Sequence, residues 1–190
     1  MKRVYPRALE ALRSVSRHDF VSGSDLVASI TGHSIPREET VSHILSLLPE
    51  IEPDQMVMHV GGGSGYFAAV LSGLAHRVLY VERNAVVAEA ARERFVRLGM
   101  HNVDVVVARA EEAPEPDPLC DLVLCTSFVR DQTALAHLVR EGGTWCVLKG
   151  ERDPSRAWPC SKNRVPSSSV CAPWAGSTST VTSSRSSLIR

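Results

Sequence analysis

A glycine-rich run is the feature that most constrains this chain of 190 residues. The run, Gly61-Gly62-Gly63-Ser64-Gly65, follows the apolar segment Met56–Val60, and a helical pattern begins at its end. A second apolar segment ends soon afterwards in the carboxylate of Glu82. A strand, a glycine turn whose backbone N–H groups approach a ligand, and an acid that closes the next strand together predict an adenosine-binding half-site.

The spacing of the glycines separates two classes of cofactor. The nicotinamide fingerprint G-x-G-x-x-G fails, because its third glycine would fall at Tyr66. The form G-x-G-x-G, from Gly61 to Gly65, is the one that S-adenosylmethionine (SAM) methyltransferases use. An ordinary tight turn between a strand and a helix would also contain glycines, but Glu82 stands where an acceptor for ribose hydroxyls is expected. The spacing therefore predicts SAM as the cofactor.

Composition excludes several classes of protein. Lysine plus arginine and aspartate plus glutamate number 21 each, so the overall charge indicates neither nucleic acid nor a membrane surface as partner. No apolar run approaches the roughly 20 residues of a membrane span, and the start lacks the apolar core of a signal peptide. The five cysteines form no C-x-x-C pair and the seven histidines are scattered, so no metal site is expected. We expect a cytoplasmic protein and a monomer.

Charge is distributed unevenly along the chain. Residues 1–153 carry 16 basic and 21 acidic residues, whereas residues 154–190 carry five basic residues and no acid. We divide the chain into an N-terminal helical and acceptor-loop segment packed on the core (1–50), a SAM-binding α/β domain (51–150) and a Ser-rich basic tail expected to be disordered (151–190). The tail is interpreted either as a frame-shifted or truncated end or as a native tail that binds an acidic partner.

Helix and strand patterns alternate before residue 150. Pro6 and Pro36 each suit the first turn of a helix, with apolar residues at helical spacing after them. The further elements predicted are strand Met56–Val60, helix Gly65–Leu74, strand Arg77–Glu82, helix Ala85–Leu98, strands Val103–Val107 and Leu122–Cys125, helix Gln132–Val139 and strand Thr144–Leu148. The alternation predicts a Rossmann-like α/β fold, with a mainly parallel twisted sheet and helices on both faces. No strand is expected after residue 150, which leaves the last predicted strand as an uncovered edge.

Six segments between roughly residues 3 and 150 stand in a recognisable order and spacing. They are Pro6–Leu12, Arg17–Val21, Val60–Leu71, Val78–Arg83, Leu98–Val103 and Arg140–Gly143. In this order and spacing they resemble one enzyme family, the protein-L-isoaspartate O-methyltransferases, which use SAM to methylate isoaspartyl residues in damaged proteins. The resemblance implies a methyltransferase that acts on an isoaspartyl protein or peptide.

The family also implies which residues serve the site. The acceptor peptide would lie over residues 32–36, where Ser34 is the one hydroxyl left and is our candidate catalytic residue. The glycine loop would cradle the methionine part of SAM, the acid that ends the second strand would hold the ribose, and the segment after the third strand would flank the adenine. The candidate cofactor-binding residues are His59, Gly61, Gly62, Gly63, Ser64, Gly65, Glu82, Arg83, Arg109 and Ala110.

The chain departs from the family at several points, which include Ser34 in place of a threonine and the lack of a proline-rich insert before the acceptor loop. The acid expected at the end of the first strand is His59, and the Gly-Asp-Gly expected after the third strand is Ala108-Arg109-Ala110. The serine that engages the substrate carboxylate is Pro36. A neutral His59 could still form hydrogen bonds, whereas a protonated one would repel the sulfonium and ammonium of SAM. These departures keep a second hypothesis open, a catalytically impaired methyltransferase-like domain with a binding or regulatory role.

Overall fold

The protein is described by a computed structural model, which covers residues 4–21, 35–127, 129, 132–148 and 160–164. Its α-helices are α1 (Pro6–Ser14), α2 (His18–Val21), α3 (Glu38–Leu47), α4 (Tyr66–Ser72) and α5 (Ala85–Arg97). Its strands are β1 (Met56–Val60), β2 (Arg77–Glu82), β3 (Val103–Val107), β4 (Cys120–Cys125), β5 (Val139–Leu148) and β6 (Cys160–Arg164). Two 3₁₀-helical segments lie at Ala110–Glu112 and Gln132–Leu138.

These strands form one sheet in the order β3-β2-β1-β4-β5-β6. The first five strands run parallel, and each parallel connection carries a helical segment. The 3₁₀ segment between β3 and β4 was not predicted, whereas the other connections alternate as expected. The Rossmann-like α/β fold is confirmed. Pro6 takes the first position of α1. Asn84 is the N-cap of α5, and its side chain accepts hydrogen bonds from the N–H groups of Val86 and Val87.

The prediction that no strand follows residue 150 is wrong. Strand β6 pairs antiparallel with β5, from the Leu148–Cys160 pair to the Thr144–Arg164 pair, and covers the edge that was expected to be bare. The Ser-rich composition hid this strand, because pairing with an existing edge satisfies backbone groups whatever the side chains are. The rest of the predicted tail lies outside the described residues.

The region before β5 also differs from the prediction. Residues 132–138 form a 3₁₀ segment rather than an α-helix, and β5 begins at Val139 instead of Thr144. Its pairing with β4 is irregular, because Cys120 faces Val139 and Leu122 faces Thr144. The extra residues of β5 turn at Gly142, where φ is +75°. Glycine adopts this conformation without strain, and such a bulge has no helical or strand period to mark it.

Buried side chains lie on both faces of the sheet. All five residues of β1 are buried, which explains why its sequence is an almost continuous apolar run. One cluster joins alternate strand residues to α1, α3, α4 and α5, and the other joins the remaining strand residues to the segment Gln132–Leu138. Among the described residues, no helix is long and apolar enough to cross a membrane.

Candidate functional site

The candidate site lies at the carboxyl ends of β1, β2 and β4. Strand β1 stands between β2 and β4, so the chain order along the sheet reverses direction there. At such a reversal the connections from neighbouring strands run to opposite faces of the sheet. They leave a crevice between them at the strand ends, which is where α/β sheets bind ligands. The glycine loop leaves β1 at this point, and Glu82 ends β2 beside it.

The glycine loop has a left-handed backbone at three positions, with φ of +80° at Gly61, +53° at Gly63 and +88° at Gly65. A methyl group placed on Gly63 would meet no atom within 4 Å, so this residue faces open space. Gly62 is the opposite case, because a side chain there would overlap the ring of Tyr80 beneath the loop. The loop is therefore packed on one side and open on the other.

Three side chains from other elements hold carbonyl groups of the loop. Thr126, directly after β4, places its hydroxyl oxygen 3.0 Å from the Gly61 carbonyl. The Tyr80 hydroxyl donates to the Gly63 carbonyl at 2.6 Å. Sequence reasoning missed both residues, because nothing in the local pattern of β2 or β4 shows that they reach the loop.

The third of these side chains is Arg94 of α5, whose Nη1 donates to the Ser64 carbonyl at 2.7 Å. Arg94 is buried, its guanidinium lies 5.6 Å from the centre of the Phe20 ring, and burial lowers its pKa. No carboxylate pairs with it among the described residues. A buried arginine bound to a loop carbonyl gives the site a fixed positive charge behind the loop.

Glu82 is buried, and both of its oxygens already hold backbone groups. Oε2 accepts from the Gly63 N–H at 3.1 Å and Oε1 accepts from the Asn84 N–H at 2.9 Å. A carboxylate has about four lone-pair positions, so it can accept further hydrogen bonds from a ligand. The structure thus brings Glu82 and the glycine loop together, as the sequence predicts.

His59 lies inside the protein with 1% of its surface exposed. Its Nε2 lies 3.0 Å from the Thr126 hydroxyl oxygen, and its ring packs 5.4 Å from that of Phe67. Burial lowers the pKa of His59 from 6.5 to about 4. The imidazole is therefore neutral at pH 7, which decides between the two charge states that the sequence left open.

The remaining candidate cofactor residues lie at the margin of the site. The side chains of Arg83 and Arg109 are exposed, and Arg109 lies 3.8 Å from a carboxylate oxygen of Glu112. The partly buried Ala110 begins a 3₁₀ segment after β3. The N–H of Ala108 donates to the Glu82 carbonyl at 3.1 Å, so this segment lies next to the end of β2.

The candidate catalytic residue Ser34 lies outside the described residues. The end of the predicted acceptor segment is described, and Arg17 holds it. Its Nε donates to the Pro36 carbonyl and its Nη2 to the Ile35 carbonyl, both at 3.0 Å. No group of three possible metal ligands occurs in the part of the chain that the structure describes.

Comparison with known proteins places these features in a family. The sequence profile of the protein-L-isoaspartate(D-aspartate) O-methyltransferases matches residues 2–147. A protein-L-isoaspartate O-methyltransferase of Syntrophobacter fumaroxidans is 32% identical over 154 residues, which are 77% of this chain and 72% of that protein. One of Pelodictyon phaeoclathratiforme is 38% identical over 159 residues, which are 77% of this chain and 70% of that protein.

Solved structures agree on the fold. A protein-L-isoaspartate O-methyltransferase superposes with a TM-score of 0.68 at 22% identity, over 86% of this chain and 57% of that one. A structure from Plasmodium falciparum, described as an enzyme of the same kind in complex with S-adenosyl-L-homocysteine, has a TM-score of 0.65 at 15% identity, over 85% of this chain and 84% of that one. On the evidence of the profile and the relatives, the chain belongs to the protein-L-isoaspartate(D-aspartate) O-methyltransferase family.

Proposed function

We propose that this protein is a SAM-dependent carboxyl O-methyltransferase that acts on isoaspartyl residues of damaged proteins or peptides. The observation that carries the proposal is the bond between Glu82 and the Gly63 N–H, which joins the acid of β2 to the glycine loop at the sheet's crevice. Family membership supplies the reaction, and the Plasmodium falciparum relative holds S-adenosyl-L-homocysteine.

The residues present fit SAM. The open side of Gly63 leaves room for a ligand against the loop, and the free lone pairs of Glu82 suit two ribose hydroxyls. We assign the methionine part to Gly61–Gly65 and the ribose to Glu82, with Arg83 beside it. Arg109 and Ala110 would flank the adenine, where the Arg109 guanidinium could stack but could not accept a hydrogen bond.

Bound SAM supplies a methyl group activated by its sulfonium. A side-chain or main-chain carboxylate has a pKa of about 4, so the acceptor oxygen is already ionised at pH 7 and the protein requires no general base. With SAM bound, that oxygen would take the methyl group and S-adenosyl-L-homocysteine would leave, so no residue of the protein would have to move a proton. The protein's task is to place the two groups in line and to exclude water.

The acceptor side depends on the N-terminal segment. Arg17 fixes the carbonyl groups of Ile35 and Pro36, and we assign the peptide to residues 32–36, with Ser34 as the hydroxyl that engages the carboxylate. The N-terminal segment 1–50 would in this way serve the acceptor and residues 51–150 the cofactor. We further propose a monomeric, cytoplasmic repair enzyme.

A second function follows from one observation. Pro36 stands where the family's serine is expected, and a proline side chain offers no hydrogen bond to a carboxylate. A protein that binds SAM but transfers no methyl group would serve as a binding or regulatory domain.

Calorimetry with SAM tests the cofactor site. We expect wild-type binding and a loss of at least about tenfold in affinity for Glu82→Ala, because both the ribose acceptor and the support of Gly63 are removed. Glu89→Ala is the matched control, since this acid pairs with Arg92 on the exposed side of α5. Wild-type protein that fails to bind SAM between pH 6 and 8 would contradict the proposal.

Transfer of labelled methyl groups separates the two functions. An isoaspartyl peptide should be methylated and the same peptide with ordinary aspartate should not. Binding of SAM without turnover on either peptide would favour the regulatory domain.

A further inference from the structure

His59 has a structural environment that the proposed function does not use. It is buried at the carboxyl end of β1, directly behind the glycine loop, and no carboxylate pairs with it among the described residues. Its ring contacts the Thr126 hydroxyl and lies tilted against the Phe67 ring, with 5.4 Å between the ring centres.

The direction of the hydrogen bonds around Thr126 follows from counting protons. The hydroxyl has one proton, and the carbonyl oxygen of Gly61 at 3.0 Å can only accept. The Val60 carbonyl, at 3.4 Å from the same hydroxyl, already accepts from the Thr126 N–H at 2.9 Å. Donation to His59 Nε2 instead would put the proton of the neutral ring on Nδ1, which has no hydrogen-bond partner among the described residues. The hydroxyl proton therefore goes to Gly61, and the hydroxyl oxygen is left to accept.

The imidazole must then be the donor to Thr126. This assigns the proton of neutral His59 to Nε2 and leaves Nδ1 as an acceptor, which has no hydrogen-bond partner among the described residues. The result is a short chain of two bonds, from His59 Nε2 to the Thr126 hydroxyl and from that hydroxyl to the Gly61 carbonyl. Gly61 is the first residue of the loop, so these two hydrogen bonds lead from His59 to the point where the loop leaves β1.

We propose that His59 is a positioning residue for SAM, which acts through Thr126 to fix the Gly61 carbonyl and so the orientation of the glycine loop. The inference rests on the proposed function, because it assigns the loop to SAM. His59 is thus an uncharged hydrogen-bond donor at the position where the family pattern has an acid. Fixing the first residue of the loop before binding reduces the conformational entropy that cofactor binding must overcome.

Four substitutions in the full chain distinguish the hydrogen-bond chain from simple packing. His59→Leu and Thr126→Val each remove one hydrogen bond, because an apolar side chain of similar size replaces the polar one. His59→Gln keeps an N–H donor near the place of Nε2, and Thr126→Ser keeps the hydroxyl. SAM affinity is measured by calorimetry, and the KM values of SAM and of an isoaspartyl peptide are measured separately.

We expect His59→Leu and Thr126→Val to weaken SAM binding about tenfold, and the double variant to be no weaker than either single one. His59→Gln and Thr126→Ser should bind within about twofold of wild type, and the peptide KM should not change. Wild-type affinity in His59→Leu or Thr126→Val would overturn the inference and leave the proposed function standing. Loss of affinity in His59→Gln equal to that in His59→Leu would also overturn it.

A measurement without SAM tests the same two hydrogen bonds. Nitrogen NMR of the histidine rings at pH 7 should show His59 with its proton on Nε2, and Thr126→Val should alter that signal more than Thr126→Ser does. A proton on Nδ1 would overturn the inference. Wild-type protein that binds no SAM would overturn both the inference and the proposed function.

Discussion

Burial alone determines the charge of His59. No acid in the described part of the chain forms an ion pair with the ring, and desolvation by itself lowers its pKa from 6.5 to about 4. The residue type gave no indication of this, since an exposed histidine titrates close to neutral pH. The same side chain would be cationic in mild acid on a surface and is neutral beneath the glycine loop.

This shift predicts how stability depends on pH. A histidine with a lowered pKa in the folded state stabilises the protein fully above pH 6.5, and this contribution is lost as the pH falls towards 4. At pH 4.5 the loss amounts to about 2 to 3 kcal/mol. Urea unfolding at pH 7 and pH 4.5 should show this extra acid sensitivity in wild type and not in His59→Gln. Equal losses in the two proteins would contradict the prediction.

Gly62 and Gly63 predict opposite effects of one methyl group. Gly62→Ala would overlap the Tyr80 ring, so we expect a loss of about 3 kcal/mol in the free energy of unfolding. Gly63→Ala meets open space, so we expect a loss of only about 1 kcal/mol in the free energy of unfolding, caused by its left-handed backbone. Because this open side is assigned to the ligand, the same variant should weaken SAM binding more than tenfold. Urea unfolding and calorimetry of the two variants test this, and similar behaviour of both would refute it.

At the scale of elements, strand β6 is the part of the fold that composition concealed. Its five residues, Cys160–Arg164, include polar and charged types with no clear alternation, yet they pair along β5. The elements that were predicted well, β1, β2 and α5, have long apolar periods or a clear cap at Asn84. A strand held by edge pairing has no such local signal.

Proline substitution tests whether β6 stabilises the sheet. Lys162 faces Cys146 in the antiparallel pair, and Lys162→Pro removes a backbone donor from this strand. We expect a lower melting temperature, by an amount that corresponds to roughly 1 to 3 kcal/mol, and more aggregation in light scattering as the β5 edge opens. Lys162→Ala keeps the N–H group and serves as control. Equal melting temperatures for the two variants would show that β6 does not protect the sheet.

At the scale of the whole molecule, the site depends on contacts between residues far apart in the chain. Tyr80, Arg94 and Thr126 reach three carbonyl groups of one loop from β2, α5 and the end of β4. The sheet places β2 and β4 on either side of β1, and α5 follows β2, so side chains from all three reach the loop that leaves β1. Three side-chain hydrogen bonds consequently hold the loop, although its own sequence is mostly glycine.

The sequence by itself determined the α/β class, the glycine loop, the pairing of that loop with Glu82 and the family. These follow from short-range patterns, namely apolar period, glycine spacing and the position of an acid after a strand. Only the tertiary structure decided the charge of His59, the supports of the loop and the cover of β5. Burial, hydrogen-bond direction and edge pairing depend on what surrounds a residue in space, and neighbours along the chain do not specify those surroundings.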